Sequence, residues 1–135
     1  MPDQADGLSA EVLQRLQQEE IIWFTTVSPR GVPVPNPVWF YWDGEYILVY
    51  SEPTSFRVRN IQNNPQVALT LQGVDGLGNN VVIINGEAEL RRDNRSIPEG
   101  YWKKFKQHLQ NMTAAEMTAA YNVETRIKPA RVRTG

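Results

Sequence analysis

The sequence predicts a mainly β fold with flanking helices, built as a small antiparallel barrel of six strands. Six segments are rich in β-branched and aromatic residues, as strands are, and turn signals separate the early segments. Two capping boxes mark a pair of helices before the last of the six segments. That succession is typical of a small barrel with helical additions. With 135 residues, the chain is expected to form a single domain, residues 1–135.

The composition argues against several classes of protein. A formal net charge of −1 is unlike that of a dedicated nucleic-acid binder, which needs a strongly basic face. The chain has no cysteine, so neither a disulfide framework nor thiolate chemistry is available. Its longest aliphatic run, Val81–Ile84, is too short to cross a membrane, and residues 1–7 lack the pattern of a signal peptide. We therefore expect a cytoplasmic protein with no membrane or nucleic-acid partner.

The first part of the chain predicts one helix and two strands. Ser9 can cap a helix that runs to about Glu20 on an apolar stripe, and Ile21–Val27 reads as a buried strand. The next strand, Val32–Trp42, has a proline at every second position from 33 to 37. Because alternate N–H groups point to the same edge, these prolines remove donors from one edge only. The strand must therefore lie at an edge of the sheet, or face something other than a neighbouring strand with a full ladder of backbone hydrogen bonds.

The middle of the chain predicts a strand, a short helix and another strand. Asp43-Gly44 is a hairpin signal that leads into the strand Tyr46–Ser51. Pro53 ends that strand and can open a helix, which Asn63-Asn64-Pro65 stops. The segment Val67–Leu71 is then the next strand.

The short helix contains an electrostatic conflict. Arg57 and Arg59 lie in or near its first turn, where the positive end of the helix dipole disfavours cations. Thr54 and Ser55 place hydroxyls where a cap is expected. A bound anion would resolve the conflict, because it can accept from the free N–H groups, the hydroxyls and the guanidinium groups together. The alternative is a pair of solvated arginines on a surface helix.

The last part of the chain predicts two strands and two helices. The glycine-rich loop Gln72–Asn80 is followed by a strand, Val81–Leu90, whereas a dinucleotide-binding loop requires a helix next. Capping boxes at Ser96–Glu99 and Thr113–Glu116 open two helices. The segment Val123–Val132 closes the chain as a strand that alternates apolar with charged residues.

Little acid–base or metal chemistry is available from the side chains. His108 is the only histidine, so a histidine-based zinc site is excluded, and no Gly-x-Ser-x-Gly elbow supports a serine triad. Trp39, beside the proline run, could form the floor of a planar pocket. The remaining hypothesis is a site for an anionic, aromatic ligand. Any redox chemistry would then come from a cofactor, with the catalytic residues unknown and no metal involved.

The segment Ser55–Leu69, reading Ser-Phe-Arg-Val-Arg-Asn-Ile-Gln-Asn-Asn-Pro-Gln-Val-Ala-Leu, resembles the phosphate-binding segment of the pyridoxamine 5′-phosphate oxidase-like, flavin-binding split-barrel superfamily. The stretches Gly78–Leu90 and Tyr121–Arg133 are most similar to a branch of deazaflavin (coenzyme F-420) dependent oxidoreductases. The resemblance implies a six-stranded antiparallel split barrel of Greek-key type. It also implies a homodimer with cofactor sites between the subunits.

The resemblance implies roles for particular residues. The hydroxyls of Ser51 and Ser55 would bind the cofactor phosphate together with Arg57, which stands where the family usually has a lysine. The flat ring would lie along residues 35–39, and Asn79 or Asn80 would reach the cofactor from the partner chain. The implied cofactor-binding residues are Asn36, Pro37, Val38, Trp39, Ser51, Ser55, Arg57, Arg59, Asn60 and Asn80.

Two functions of different classes remain open. The first is an oxidoreductase in which FMN or coenzyme F-420 transfers hydride to a small substrate. Phe56 replaces a second basic residue of the oxidase proper, which argues against activity on pyridoxamine phosphate. The second is a non-catalytic FMN-binding or flavin-storage protein; a protein without a ligand would leave the clustered arginines unexplained. The longer acidic tail of the deazaflavin would need further cations, for which Arg126, Arg131 and Arg133 are candidates.

Overall fold

The computed structural model describes residues 7–73, 76–92, 97–109 and 111–135. The strands in these parts of the chain are β1 Ile21–Val27, β2 Pro33–Trp39, β3 Tyr41–Trp42, β4 Ile47–Ser51, β5 Gln66–Leu71, β6 Val82–Arg91 and β7 Val123–Thr134. The helices are α1 Ala10–Gln18, α2 Phe56–Asn63, α3 Glu99–Phe105 and α4 Ala114–Ala120, with a 3₁₀ turn at Lys106–His108. The strands form one antiparallel sheet in the order β2-β1-β5-β6-β7-β4-β3.

The two edge strands of this sheet, β2 and β3, are consecutive in the chain and are separated only by Phe40. A flat sheet of seven strands would be about 29 Å across, whereas one residue spans less than about 4 Å. The sheet must therefore curl until its edges meet. The predicted antiparallel barrel with flanking helices is thus confirmed.

The number of strands differs from the prediction, because the predicted strand Val32–Trp42 is two strands. Residues before Phe40 pair with β1, and residues after it pair with β4. Phe40 itself is fully buried, and its N–H donates to the carbonyl of Glu20 at 3.4 Å. No glycine or proline marks this position in the sequence, so the crossover is visible only in the fold.

The prolines of β2 lie on an edge strand, as the sequence predicts. In the described sheet β2 has β1 as its one neighbour, and the N–H groups of Val34, Asn36 and Val38 remain available for that ladder. The opposite edge of β2 carries the prolines and offers no donors between positions 33 and 37. Another strand could not continue the sheet at this edge.

Two apolar clusters hold the chain together. The larger fills the barrel, and α1 contributes Val12 and Leu16 to it from a helix capped by Ser9, as predicted. The smaller lies beneath the later helices and consists of Leu48, Tyr50, Tyr101, Phe105 and Met117. The smaller cluster is the more aromatic of the two, and it borders the candidate site described below.

The helix starts agree with the sequence in part. The capping box of Thr113 and Glu116 is present at α4. Ser96, predicted to cap the preceding helix, lies outside the described residues, and α3 begins later with Pro98 as its N-cap and no side-chain bond. The loop 72–80 includes two residues outside the described part, but the segment after it is a strand, as predicted. None of the described helices combines the length and apolar character needed to span a bilayer.

Candidate functional site

A cavity of about 400 Å³ lies where the end of β2 meets α2 and the later helices. Residues 37–39 of β2 line it from the barrel, and Tyr101, Met117 and Tyr121 line it from the helical region. Among the described residues that line it, Arg57 alone carries a full charge at neutral pH. An apolar, aromatic cavity with a single cation is suited to a flat ligand that bears an anionic group.

Two neutral side chains hold the guanidinium group of Arg57. Its Nη1 donates to Asn36 Oδ1 at 3.1 Å, and its Nη2 donates to Ser51 Oγ at 3.0 Å. Asn36 belongs to β2 and Ser51 ends β4, so one head group joins two strands that are not neighbours in the sheet. The fold thus brings three of the predicted site residues into one hydrogen-bonded group.

Arg57 retains unused capacity to donate hydrogen bonds. A guanidinium group has five N–H donors, and the buried Nε has no partner among the described residues. Burial lowers the pKa of Arg57, and the charge of Glu52 only partly offsets that effect. An anion bound beside the guanidinium group would stabilise the charged form, as expected of a phosphate ligand.

The start of α2 adds a second feature that favours an anion. Ser55 is the N-cap, and its Oγ accepts from the backbone N–H of Arg57 at 3.2 Å. The first turn of α2 contains no acidic residue, so the chain does not neutralise the positive end of the helix dipole there. The N–H groups of Arg57, Val58 and Arg59 already donate to Ser55. Two hydroxyls and a cation remain at this helix start, and these residues fit a cofactor phosphate.

Trp39 forms part of the cavity wall together with aromatic rings from the helical region. Its indole stacks on Phe105, with ring centroids 4.7 Å apart and planes inclined by 10°. The ring of His108 also lies nearby, with its centroid 5.8 Å from that of Trp39. The position of Trp39 on this wall is consistent with the prediction that it forms the floor of a planar pocket.

The cavity is bordered by a buried polar pair that the sequence analysis missed. The Tyr50 hydroxyl donates to Glu124 Oε2 at 2.8 Å, and Arg126 Nε donates to Oε1 of the same carboxylate at 2.9 Å. Burial and the Glu124 bond raise the pKa of Tyr50, so the phenol stays protonated. The sequence predicted only that Glu124 alternates with Val123 and Thr125 along β7, and it did not indicate that all three residues are buried. The sequence does not indicate this pair, because Tyr50 lies 74 residues away from Glu124 in the chain.

Three predicted ligands lie apart from this group within the described chain. Asn60 is buried and its Nδ2 donates to Thr26 Oγ1 at 3.0 Å, so its amide faces the barrel core. Arg59 is exposed. The carbonyl of Asn80 accepts a hydrogen bond from Arg15. None of the three is among the described residues that line the cavity, and the same holds for Asn36, Ser51 and Ser55, which lie beside Arg57. The roles of all six as cofactor ligands stay predictions.

The three candidate cations for an acidic tail also lie outside the described lining of the cavity. Arg126 is engaged by Glu124 and lies over the ring of Tyr46, with Cζ 4.9 Å from its centroid. Arg131 and Arg133 are exposed on β7. Their binding of a deazaflavin tail stays a prediction.

Residues 8–134 match the model of the family described as pyridoxamine 5′-phosphate oxidase. Among solved structures, an F420 reductase is 24% identical, with 98% of each chain covered and a TM-score of 0.69. A Listeria innocua protein provisionally assigned as a pyridoxamine 5′-phosphate oxidase is 25% identical, with 92% of this chain and 94% of that chain covered and a TM-score of 0.70.

A third similar structure is that of HutZ, the heme storage protein from Vibrio cholerae. It is 15% identical, with 94% of each chain covered and a TM-score of 0.66. No curated protein sequence matches the chain. One fold thus occurs in a reductase and in a storage protein, so the fold alone does not decide between the two functions.

Proposed function

The chain belongs to the pyridoxamine 5′-phosphate oxidase family, and from that premise we propose that it is an oxidoreductase that uses FMN or coenzyme F-420. The single observation that carries the proposal is Arg57, a half-buried guanidinium with two neutral partners and a buried, unpartnered Nε in the described structure. The cavity beside it is lined by aromatic and aliphatic side chains. That combination fits a ligand with a phosphate and a flat ring.

The residues of the chain would divide the work of binding. Arg57, Ser51 and Ser55 would hold the phosphate, and residues 37–39 with the later helices would enclose the ring and exclude water. Bound in this way, the cofactor supplies hydride transfer to a small-molecule substrate. Both cofactors present a phosphate to the same residues, so this part of the site accommodates either.

The proposed active form is a homodimer with cofactor sites between the subunits. Ile21 and Trp23, at alternate positions of β1, are 43% and 39% exposed on the same face of the sheet. Ile21 also lines the cavity, so the apolar face and the candidate site share a border. Sedimentation equilibrium should show a dimer at micromolar concentration, and Trp23→Glu should shift it toward monomer. A wild-type protein that is monomeric under those conditions contradicts this part of the proposal.

Titration of the purified protein with FMN and with coenzyme F-420, followed by quenching of tryptophan fluorescence, tests the cofactor directly. Trp39 lines the cavity, so a bound ring should quench its emission. We expect micromolar binding of at least one of the two cofactors. Hemin is the matched control because a relative of this fold stores heme. Binding of neither flavin nor deazaflavin would remove the basis of the proposal.

A second candidate function is storage of the cofactor without catalysis. Burial raises the pKa values of Tyr50 and Tyr101, so these two phenols of the cavity stay protonated near neutral pH and cannot act as bases. Oxidation of the reduced cofactor by a panel of small acceptors discriminates between the two functions. Faster oxidation in the presence of protein supports the enzyme, and an unchanged rate with tight binding supports storage.

Activity on pyridoxamine phosphate is not expected. Phe56 is 37% exposed at the start of α2, at the position where the oxidase proper has a basic residue. Without that second cation, an additional substrate phosphate would lack a partner. An assay of pyridoxal phosphate formation with added FMN should show no turnover above background, and steady production would overturn the expectation.

A further inference from the structure

Lys104 connects the helical region to Phe40, the residue at which the chain crosses between the edges of the sheet. Its Nζ donates a hydrogen bond of 2.9 Å to the Phe40 carbonyl. The same nitrogen lies 4.2 Å from the centroid of the Phe40 ring and 5.3 Å from that of the Phe105 ring. One ammonium group therefore contacts the backbone of the crossover and two aromatic faces.

Both sets of contacts lead to Trp39. Phe40 follows Trp39 directly in the chain, so fixing the Phe40 carbonyl limits the backbone on which the indole is carried. The Phe105 ring stacks on the indole with centroids 4.7 Å apart. Trp39 lines the cavity in which we place the flat ring of the cofactor. Lys104 is thus linked to that wall through the main chain and through a ring.

A charged side chain is unfavourable at this position for stability alone. Burial lowers the pKa of Lys104 to about 8, although the charges of Glu20 and Glu19 favour the ammonium. A methionine would occupy a similar volume without any cost of desolvating a charge. Groups that keep a charge where burial opposes it occur preferentially at functional sites.

We propose that Lys104 is a positioning residue of the candidate site. Its ammonium holds the Phe40 carbonyl and the Trp39–Phe105 ring pair, and so sets the wall against which the cofactor ring binds. The inference rests on the proposed function, because that function supplies the flat ligand. Lys104 itself does not touch the cofactor in this account.

The first test compares cofactor affinity in Lys104→Met and in the matched control Lys103→Met, with FMN and coenzyme F-420 as probes. Lys103 is the preceding residue, is exposed, and pairs only with Glu99 among the described residues, at 2.9 Å. We expect the dissociation constant of Lys104→Met to rise about threefold to thirtyfold, the range of a cation–π contact. That of Lys103→Met should equal the wild-type value.

The second test uses pH, because affinity and stability should respond in opposite directions. As the pH rises through about 8, Lys104 loses its proton and with it the cation–π contacts to the two rings. The affinity of the wild type for the cofactor should therefore fall. The empty protein should become more stable over the same rise, because folding lowers the pKa of this lysine and the penalty on its charged form disappears. A purely structural lysine would give the same rise in stability and leave the affinity of the folded protein unchanged.

Control variants separate Lys104 from its titratable neighbours. Glu19 and Glu20 act on its charge, and His108 Nε2 lies 3.2 Å from Glu20 Oε2. His108→Gln should therefore keep the wild-type pH profile of affinity. Lys104→Arg, which stays charged throughout, should lose the fall in affinity above pH 8. This variant also serves if Lys104→Met fails to fold.

The outcomes distinguish this inference from the proposed function. If the wild type binds neither cofactor, the proposed function fails and the inference fails with it. If the wild type binds, but Lys104→Met binds equally well, or Lys104→Arg shows the same pH profile as the wild type, the positioning role alone is wrong.

Discussion

Two nearby polar residues of α2 serve different purposes. Asn60 is buried and donates to Thr26, a residue with no exposed surface, and both belong to a closed core contact. Arg57 is half-buried, bonds two neutral side chains and keeps a buried Nε that lacks a partner in the described chain. Three positions separate them, so they project from the same side of the helix and differ in their partners.

The difference shows which polar groups serve the fold and which await a ligand. A buried donor with a partner stabilises the empty protein, whereas a buried donor without one destabilises it until something binds. Asn60 therefore belongs to the fold in our account, and Arg57 to the site. Substitutions of buried residues of α2 and of Arg57 should therefore separate stability from affinity.

The largest effect should come from the buried apolar residues of α2. Ile61 is 4% exposed, and Ile61→Ala should lower the free energy of unfolding by about 2–5 kcal/mol through lost burial and a cavity. Cofactor affinity of the folded fraction should stay unchanged. Gln62→Ala, at the exposed neighbouring position, is the control for urea unfolding and should change stability by less than about 0.5 kcal/mol. Equal losses in the two variants would mean that α2 does not pack as described.

A smaller loss is expected when the polar core contact is removed. Asn60→Ala leaves the buried Thr26 hydroxyl without its donor and should cost about 1–3 kcal/mol of stability. Adding Thr26→Val should recover part of that loss, because no unpaired polar group then remains. Asn63→Ala, on the exposed side of α2, is the matched control. A tenfold loss of cofactor affinity in Asn60→Ala would show that this residue contributes to the cofactor site.

Much of the fold followed from local chemistry. The alternate prolines predicted the edge strand, and the residues flanking Pro53 predicted the β4–α2 unit. The division at Phe40 could not be predicted, because it depends on which strands meet when the sheet closes, and the residues around position 40 favour a strand without interruption. Propensity identifies a strand but not its partners.

The site was predictable where neighbours in sequence act together, and less so elsewhere. Ser55 and Arg57 lie within one turn of helix, so their contact could be expected from the sequence of this segment alone. The contribution of Tyr101 and Met117 to the cavity wall could not be predicted, because it depends on how the later helices pack. Likewise, the Asn60 side chain was assigned to the cofactor because Thr26, its partner, lies 34 residues earlier.

The smallest effect on stability should come from Arg57, the residue of α2 that lines the cavity. Arg57→Ala removes two hydrogen bonds, but it also removes a half-buried cation from the start of a helix. These terms oppose each other, so the free energy of unfolding of the empty protein should change by less than about 0.5 kcal/mol. Thermal melts without cofactor provide the measurement. A loss as large as that of Asn60→Ala would show that Arg57 serves the fold.

Cofactor affinity in Arg57→Ala tests the central claim most directly. A charge-assisted hydrogen bond to phosphate contributes about 1.5–3 kcal/mol, so FMN or coenzyme F-420 should bind about tenfold to a hundredfold more weakly than to the wild type. Arg57→Lys should recover much of the loss, because a cation still faces the phosphate. Fluorescence titrations of the three proteins side by side give the result. Equal affinity in the wild type and Arg57→Ala would contradict the placement of the cofactor phosphate beside Arg57.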